Sequence, residues 1–265
     1  MSRVAVVTGA GRGIGAATVA SLAAEGWRVL AVDRCEDDPR LPYPLATEAE
    51  LGAVVAAANE AAGDPERVRA AIADVTDEAA LATAVERAGR LGELEAIVAN
   101  AGAIAGGVPA WELGAELQQA MLEINLGGVI AAARAGIPEL LRQPPPRRGR
   151  FVATASAAAT RGMPGLAAYG AAKAGVAGFV RGLAADLRGT GVTANAIAPG
   201  STRTPLLEES ARLYGLGSGE EFVPQQPLER LLEPAEVAAL IGWLVGPRGA
   251  AVTGALLPID GGLAL

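Results

Sequence analysis

Residues 3–33 read RVAVVTGAGRGIGAATVASLAAEGWRVLAVD. The run from Arg3 to Thr8 is short, apolar and rich in β-branched residues, as expected of a buried parallel strand. Gly9, Gly11, Gly13 and Gly15 follow, interleaved with Ala10, Arg12 and Ile14. The segment AATVASLAAEG then predicts a helix closed by Gly26, and WRVLAVD a second strand ending at Asp33. Strand, glycine turn, helix and acid-terminated strand within about thirty residues make a dinucleotide-binding unit. The glycines permit a tight turn and let backbone approach a pyrophosphate, whose charge meets the amides of a helix N-terminus. Asp33 is placed to accept hydrogen bonds from the adenosine ribose hydroxyls. It also opposes the extra phosphate of NADP, because like charges about 4 Å apart repel by about 4 kcal/mol at an effective dielectric near 20. The expected cofactor is therefore NAD, with Arg12 and Arg34 close enough to soften the preference.

Outward from this unit the alternation continues. Residues 34–63 interrupt it: Pro39, Pro42 and Pro44 rule out an ordinary helix in the first half. Thr47 with Glu50 predicts a capped helix over 48–62. The 41 residues from Asp33 to Asp74 exceed what a lean return needs, which points to an inserted loop. Strands are expected at 66–75, 94–102, 150–156 and 192–202, and within 251–262. Helices are expected at 77–91, in two stretches around Asn125 over 112–141, at 167–187 and at 234–246. Residues 203–230 read as irregular. The expected fold is one Rossmann-like α/β domain over 1–265, a doubly wound sheet of seven parallel strands with helices on both faces.

Composition bounds the function. With 51% hydrophobic and 19% charged residues, the 265-residue chain can bury a substantial core. The net charge of −7 comes without a basic cluster, so no nucleic-acid partner is expected. No uninterrupted apolar run of spanning length occurs and no leader pattern is present, so the expectation is a cytoplasmic protein with no membrane partner. Cys35 is the only cysteine and there is no histidine, so intrachain disulfides are excluded and no metal site is expected. Acid–base chemistry must then use Tyr, Lys, Asp or Glu.

The stretch 156–173, SAAATRGMPGLAAYGAAK, supplies such a set. Tyr169 and Lys173 stand four apart in an alanine-rich helix, which stacks them on one face. Ser156 lies at the end of the preceding strand. A phenol beside an ammonium is a candidate proton-transfer group. In isolation Y-x-x-x-K is a common pattern; the rest of the chain gives it weight.

Taken together, TGAGRGIG at 8–15, Asp33, Asp74-Val75, Asn100-Ala101-Gly102, Asn125, Ser156, Tyr169-x-x-x-Lys173 and Pro199-Gly200-Ser201-Thr202 resemble the short-chain dehydrogenases/reductases over essentially the whole length. The one small departure is Ala99, where many members carry a second asparagine. The resemblance implies an NAD-dependent oxidoreductase with Ser156, Tyr169, Lys173 and Asn125 as catalytic residues. It implies that Tyr169 takes the alcohol proton as hydride leaves for the nicotinamide, while Ser156 orients the substrate oxygen. Lys173 would lower the phenol pKa and hold the nicotinamide ribose, and Asn125 would hold a proton-relay water. Bringing a phenol from its usual pKa near 10 to about 7 needs about 4 kcal/mol.

The cofactor is then expected against Gly9, Gly11, Arg12, Gly13, Ile14, Gly15, Asp33, Arg34, Asp74, Val75, Asn100, Ala101, Gly102, Tyr169, Lys173, Pro199, Gly200, Ser201 and Thr202. Residues 104–107 with Ala157, Met163 and Leu166 are expected in the substrate wall, and Leu206, Leu207, Tyr214 and Phe222 in an apolar lid over 203–230. A hydrophobic secondary alcohol or ketone fits best. A homotetramer is expected from the family.

A narrower resemblance concerns the proline-rich insert and AIAGG at 103–107, which are similar to the mycofactocin-coupled members. In those, the nicotinamide cofactor stays bound and electrons leave to the peptide-derived carrier mycofactocin. An ordinary dehydrogenase with exchangeable NAD(H) remains the alternative. A non-catalytic NAD sensor is disfavoured by the presence of all four catalytic side chains.

Overall fold

The computed structural model describes residues 2–265. Its seven strands are β1 (Arg3–Thr8), β2 (Arg28–Asp33), β3 (Val68–Ile72), β4 (Glu93–Ala99), β5 (Arg150–Thr154), β6 (Thr193–Pro199) and β7 (Leu256–Ile259). All pair in parallel, in the order β3-β2-β1-β4-β5-β6-β7. Chain order reverses at β1 and β4, so their C-terminal ends diverge and leave a crevice above the sheet.

The two faces are covered separately. On one side α1 (Gly13–Ala24), α2 (Glu48–Ala62) and α8 (Pro234–Val245) bury Val19, Leu22, Leu51, Ile241 and Leu244 with Trp27. On the other, α3 (Glu78–Gly89), α5 (Gly128–Leu141) and α6 (Ala167–Asp186) bury Leu81, Val129, Leu140, Val176 and Val180 around Phe151. At about 25 cal/mol per Å² of apolar area, these two layers supply the main drive for folding. The predicted cap of α2 is present: the Thr47 hydroxyl accepts from the Glu50 amide, and Glu50 accepts from the Thr47 amide.

Several expectations change. The strand at 66–75 shortens to β3, an edge strand paired only with β2, so Asp74 and Val75 lie beyond it on the crevice. β4 ends at Ala99 and β5 at Thr154, which leaves Asn100–Gly102 and Ser156 in the exit loops. The two helical stretches around Asn125 are one continuous helix, Ala115–Leu141. It is built from α4 (Ala115–Leu122), a π-helical turn at Glu123–Gly127 and α5. Gly127-Gly128 does not break it; a side chain at Gly128 would meet Val75 Cγ2 at 2.6 Å. This helix is long and apolar enough to span a bilayer, but over half of its apolar window is buried in the fold.

Residues 203–230 are not simply irregular. Thr204 caps α7 (Pro205–Leu213), and a 3₁₀ turn spans Gly219–Gln225. Pro205 sits at the first helical position, where a missing N–H costs nothing, so this proline marks a helix start.

Candidate active site

The crevice is a cleft of about 670 Å³ that runs from the end of β2 past β1 and β4 to α7. Gly9, Arg12, Gly13, Ile14, Asp33, Arg34, Asp74, Val75, Asn100, Ala101, Gly102, Pro199, Gly200, Ser201 and Thr202 all line it. So do Ser156, Tyr169 and Lys173. Three predicted residues do not reach it: Gly11, Gly15 and Asn125 stand behind the lining.

The glycines show why. A Cβ on Gly15 would lie 1.9 Å from the Gly9 carbonyl oxygen, so this position closes the turn. Gly11 donates its N–H to Asp33 Oδ2 at 2.8 Å and thereby aims the carboxylate. Arg12 gives α1 no side-chain cap, which leaves the amides of the first turn free for an anion. The uncapped helix, the glycine cradle and the oriented acid fit a dinucleotide.

Asn100 joins three strand ends. Its Nδ2 donates to the Thr8 and Gly9 carbonyls at 3.2 and 3.3 Å, and its Oδ1 accepts from the Thr154 hydroxyl at 3.0 Å. Sequence reasoning matched Thr8 only as part of its motif, with no site role, and passed over Thr154. Thr8 Oγ1 also accepts the Asn100 and Ala101 amides, and the Thr154 carbonyl accepts from Lys173 Nζ at 2.9 Å.

Tyr169 and Lys173 are buried on one face of α6, with Nζ 5.7 Å from the phenol ring centre. Burial lowers the Lys173 ammonium to about 8. Burial also raises the Tyr169 phenol, and the neighbouring Ser156 hydroxyl pulls it back. Burial thus favours the neutral phenol, and positive charge nearby is what favours the phenolate that acts as a base. Ser156 is held by the amide of Ala158, which donates to its Oγ at 3.1 Å.

Asn125 is fully buried in the π-helical turn. Its Nδ2 donates to the Ala103 and Met121 carbonyls at 2.9 and 3.0 Å, and its Oδ1 accepts from the Ala103 amide at 3.2 Å. The side chain thus fixes the loop after β4. A Cβ on Gly102 would meet Asn125 Oδ1 at 2.8 Å and Lys173 Nζ at 3.3 Å, so only glycine lets these groups converge.

In the expected substrate wall, Ile104, Ala157, Met163 and Leu166 line the cleft; Ala105, Gly106 and Gly107 do not. The two glycines lock the wall from behind instead: the Gly107 amide donates to Gly165 O at 3.0 Å. Leu206, Leu207, Tyr214 and Phe222 line it as the lid requires. Tyr214 packs edge-on against Phe222 with ring centres 5.9 Å apart, and its hydroxyl donates to Pro164 O at 2.8 Å.

The insert adds residues that no motif marked. Tyr43, Leu45 and Ala46 line the cleft, and Tyr43 Oη accepts the Ile104 amide at 2.9 Å. Apolar side chains alternating with prolines were the available signal.

A profile of the family described as enoyl-(acyl carrier protein) reductase matches residues 9–264. The chain belongs to the short-chain dehydrogenase/reductase family. It is 38% identical over 262 residues to the short-chain reductase protein NovJ of Streptomyces niveus, covering 98% of this chain and 93% of that one. It is 36% identical over 265 residues to cis-4-hydroxycyclohexanecarboxylate dehydrogenase of Sinomonas cyclohexanicum, covering 98% and 96%. Among solved structures, carveol dehydrogenase from Mycobacterium avium in complex with NAD superposes with a TM-score of 0.90 at 30% identity, covering 98% of this chain and 97% of that one. Levodione reductase superposes at 0.88 and 33%, covering 99% and 97%. This short-chain dehydrogenase/reductase is an NAD-dependent oxidoreductase.

Proposed function

We propose that this enzyme interconverts an apolar, cyclic secondary alcohol and its ketone. One observation carries the reading: Tyr169 and Ser156 open onto the same cleft as Ile104, Met163, Leu166, Leu206 and Phe222, an apolar wall beside a proton-transfer pair. Three similar proteins are named for cyclic alcohols or ketones.

NAD, when bound, supplies the hydride acceptor. The chain's residues do the rest. Gly9, Gly13 and the first turn of α1 hold the pyrophosphate, and Asp33 holds the adenosine ribose. Ser156 orients the substrate oxygen, and Tyr169 takes its proton. Lys173, anchored on the Thr154 carbonyl, carries a positive charge at neutral pH and stabilises the phenolate. Asn125, behind the lining, holds the Ala103 backbone that borders the cleft beside Lys173.

The insert favours a tightly held cofactor. Leu41, Tyr43 and Leu45 pack in the same cluster as Ile104, Leu166 and Leu206, so insert and lid meet above the cleft. In this reading the bound NAD is reoxidised in place by an external carrier of the mycofactocin type. Exchange of free NAD(H) is the competing mode, and the same fold accommodates it. The working form is a cytoplasmic homotetramer that meets across the 115–141 helix and α6, where Gly178 and Gly182 have open space for close approach.

The test is to purify the enzyme, identify any nucleotide released on denaturation, and add alicyclic secondary alcohols. Reduced nicotinamide should appear for cyclic alcohols and not for short linear ones. Failure with every apolar alcohol and ketone sinks the substrate class. Steady turnover on free NAD alone with fast exchange of labelled NAD sinks the carrier-coupled mode only.

A further inference from the structure

We propose that Asp38 sets the cofactor preference by withholding Arg34 from the 2′-phosphate of NADP. The inference rests on the NAD site proposed above and concerns a residue outside every motif of that site.

Asp33 alone does not make an enzyme blind to NADP, because a guanidinium beside it can take the phosphate. Arg34 is adjacent in sequence and lines the cleft at its adenosine end. Its guanidinium is already engaged. Nη1 lies 3.2 Å from Asp38 Oδ2 and 3.2 Å from Asp74 Oδ2, and Nη2 donates to the Asp37 carbonyl at 3.4 Å. Two N–H groups remain, the second on Nη2 and that on Nε, and Nε is buried without a partner. Arg12, the other cation at this end, donates to the Pro44 carbonyl at 2.9 Å. The insert thus engages both arginines that would soften the repulsion from Asp33.

Asp38 is the centre of this arrangement. Its side chain is only 3% exposed. Its Oδ2 also lies 2.8 Å from Arg40 Nη2, and its Oδ1 accepts from Arg40 N and Nε at 3.0 and 2.9 Å. Arg40 in turn bonds Glu123 Oε2 at 2.6 Å, which ties the insert to the helix that carries Asn125. Asp38 is therefore rigidly placed and cannot yield to an arriving phosphate. Asp74 is about a quarter exposed and lies on the adenosine side, so the buried partner is the one that fixes the guanidinium.

The test is Asp38→Asn, which keeps the shape and the acceptor for the Arg40 amide while removing the charge. NAD and NADP affinities of the full chain are measured by calorimetry. The two ligands differ only at the 2′ position, so a merely structural role would change both affinities alike. The expected result is a shift of the affinity ratio toward NADP by about tenfold or more, equivalent to about 1.4 kcal/mol. The shift should vanish in Asp38→Asn/Arg34→Met and be absent in Asp38→Glu. An unchanged ratio in D38N, or a shift that persists without Arg34, overturns the proposal. If D38N does not fold, Arg34→Met in the otherwise unaltered chain decides it. A withheld guanidinium predicts a ratio within about twofold of the parent, and a larger loss of NADP affinity refutes withholding. Failure of the parent enzyme to bind either nucleotide would instead refute the cofactor site.

Discussion

Replacing Lys173 by Met tests how the proton-transfer group is made. The ammonium lies 5.7 Å from the centre of the Tyr169 ring, with both groups buried. At an effective dielectric near 20, unit charges about 5–6 Å apart interact by about 3 kcal/mol, or about two pKa units of phenolate stabilisation. Lys173 titrates at about 8, so this contribution is present below that pH and fades above it as the amine loses its charge. In the parent enzyme the apparent values therefore belong to the pair rather than to either residue. The assay is the pH dependence of single-turnover alcohol oxidation at saturating NAD, which separates proton transfer from any weakened hold on the ribose. Lys173→Met should move the ascending, acid-side limb up by about two units and lower the rate at neutral pH by about a hundredfold. A slower variant whose pH profile has not moved would show that Lys173 acts only as a structural anchor on the Thr154 carbonyl.

Four further outcomes are expected. Tyr169→Phe should lower single-turnover hydride transfer by at least about a hundredfold while NAD still binds; retention of more than a few per cent of the rate excludes Tyr169 as the base. Asp33→Ala should lose NAD affinity and gain relative NADP affinity, and an unchanged calorimetric ratio removes Asp33 from the ribose site. Gly15→Ala, whose methyl would sit 1.9 Å from the Gly9 carbonyl oxygen, should cost about 1–3 kcal/mol or more and lower the melting temperature. Arg40→Met cuts the insert from Glu123 and should speed exchange of labelled NAD with little effect on the melting transition of the sheet; unchanged exchange means the insert does not cover the cofactor.

The dinucleotide unit was legible because its constraints are local. Gly9 and Gly13 have positive φ and a side chain on Gly15 would meet the Gly9 carbonyl, so these reasons lie within seven residues of chain. The Tyr169–Lys173 pair follows from one helical turn, and the Thr47–Glu50 cap is local too. The helix at 205–213 within the expected lid is hidden among the glycines and prolines that make 203–230 read as irregular, although Thr204 before Pro205 is a helix cap.

By itself the sequence determined the alternation of strands and helices, the glycine cradle and the placing of Tyr169 and Lys173 on one helix face, since each depends on spacing along the chain. Only the tertiary structure decided what surrounds them. The π-helical turn at Asn125 meets the loop after β4, held by two bonds between Asn125 and Ala103, 22 positions away. The insert's hold on Arg34 and its link from Arg40 to Glu123, 83 positions on, depend on how the loops pack above the crevice. A side chain's type specifies what it can bond; which partner arrives from a distant segment is settled when the sheet and its helices close around the core.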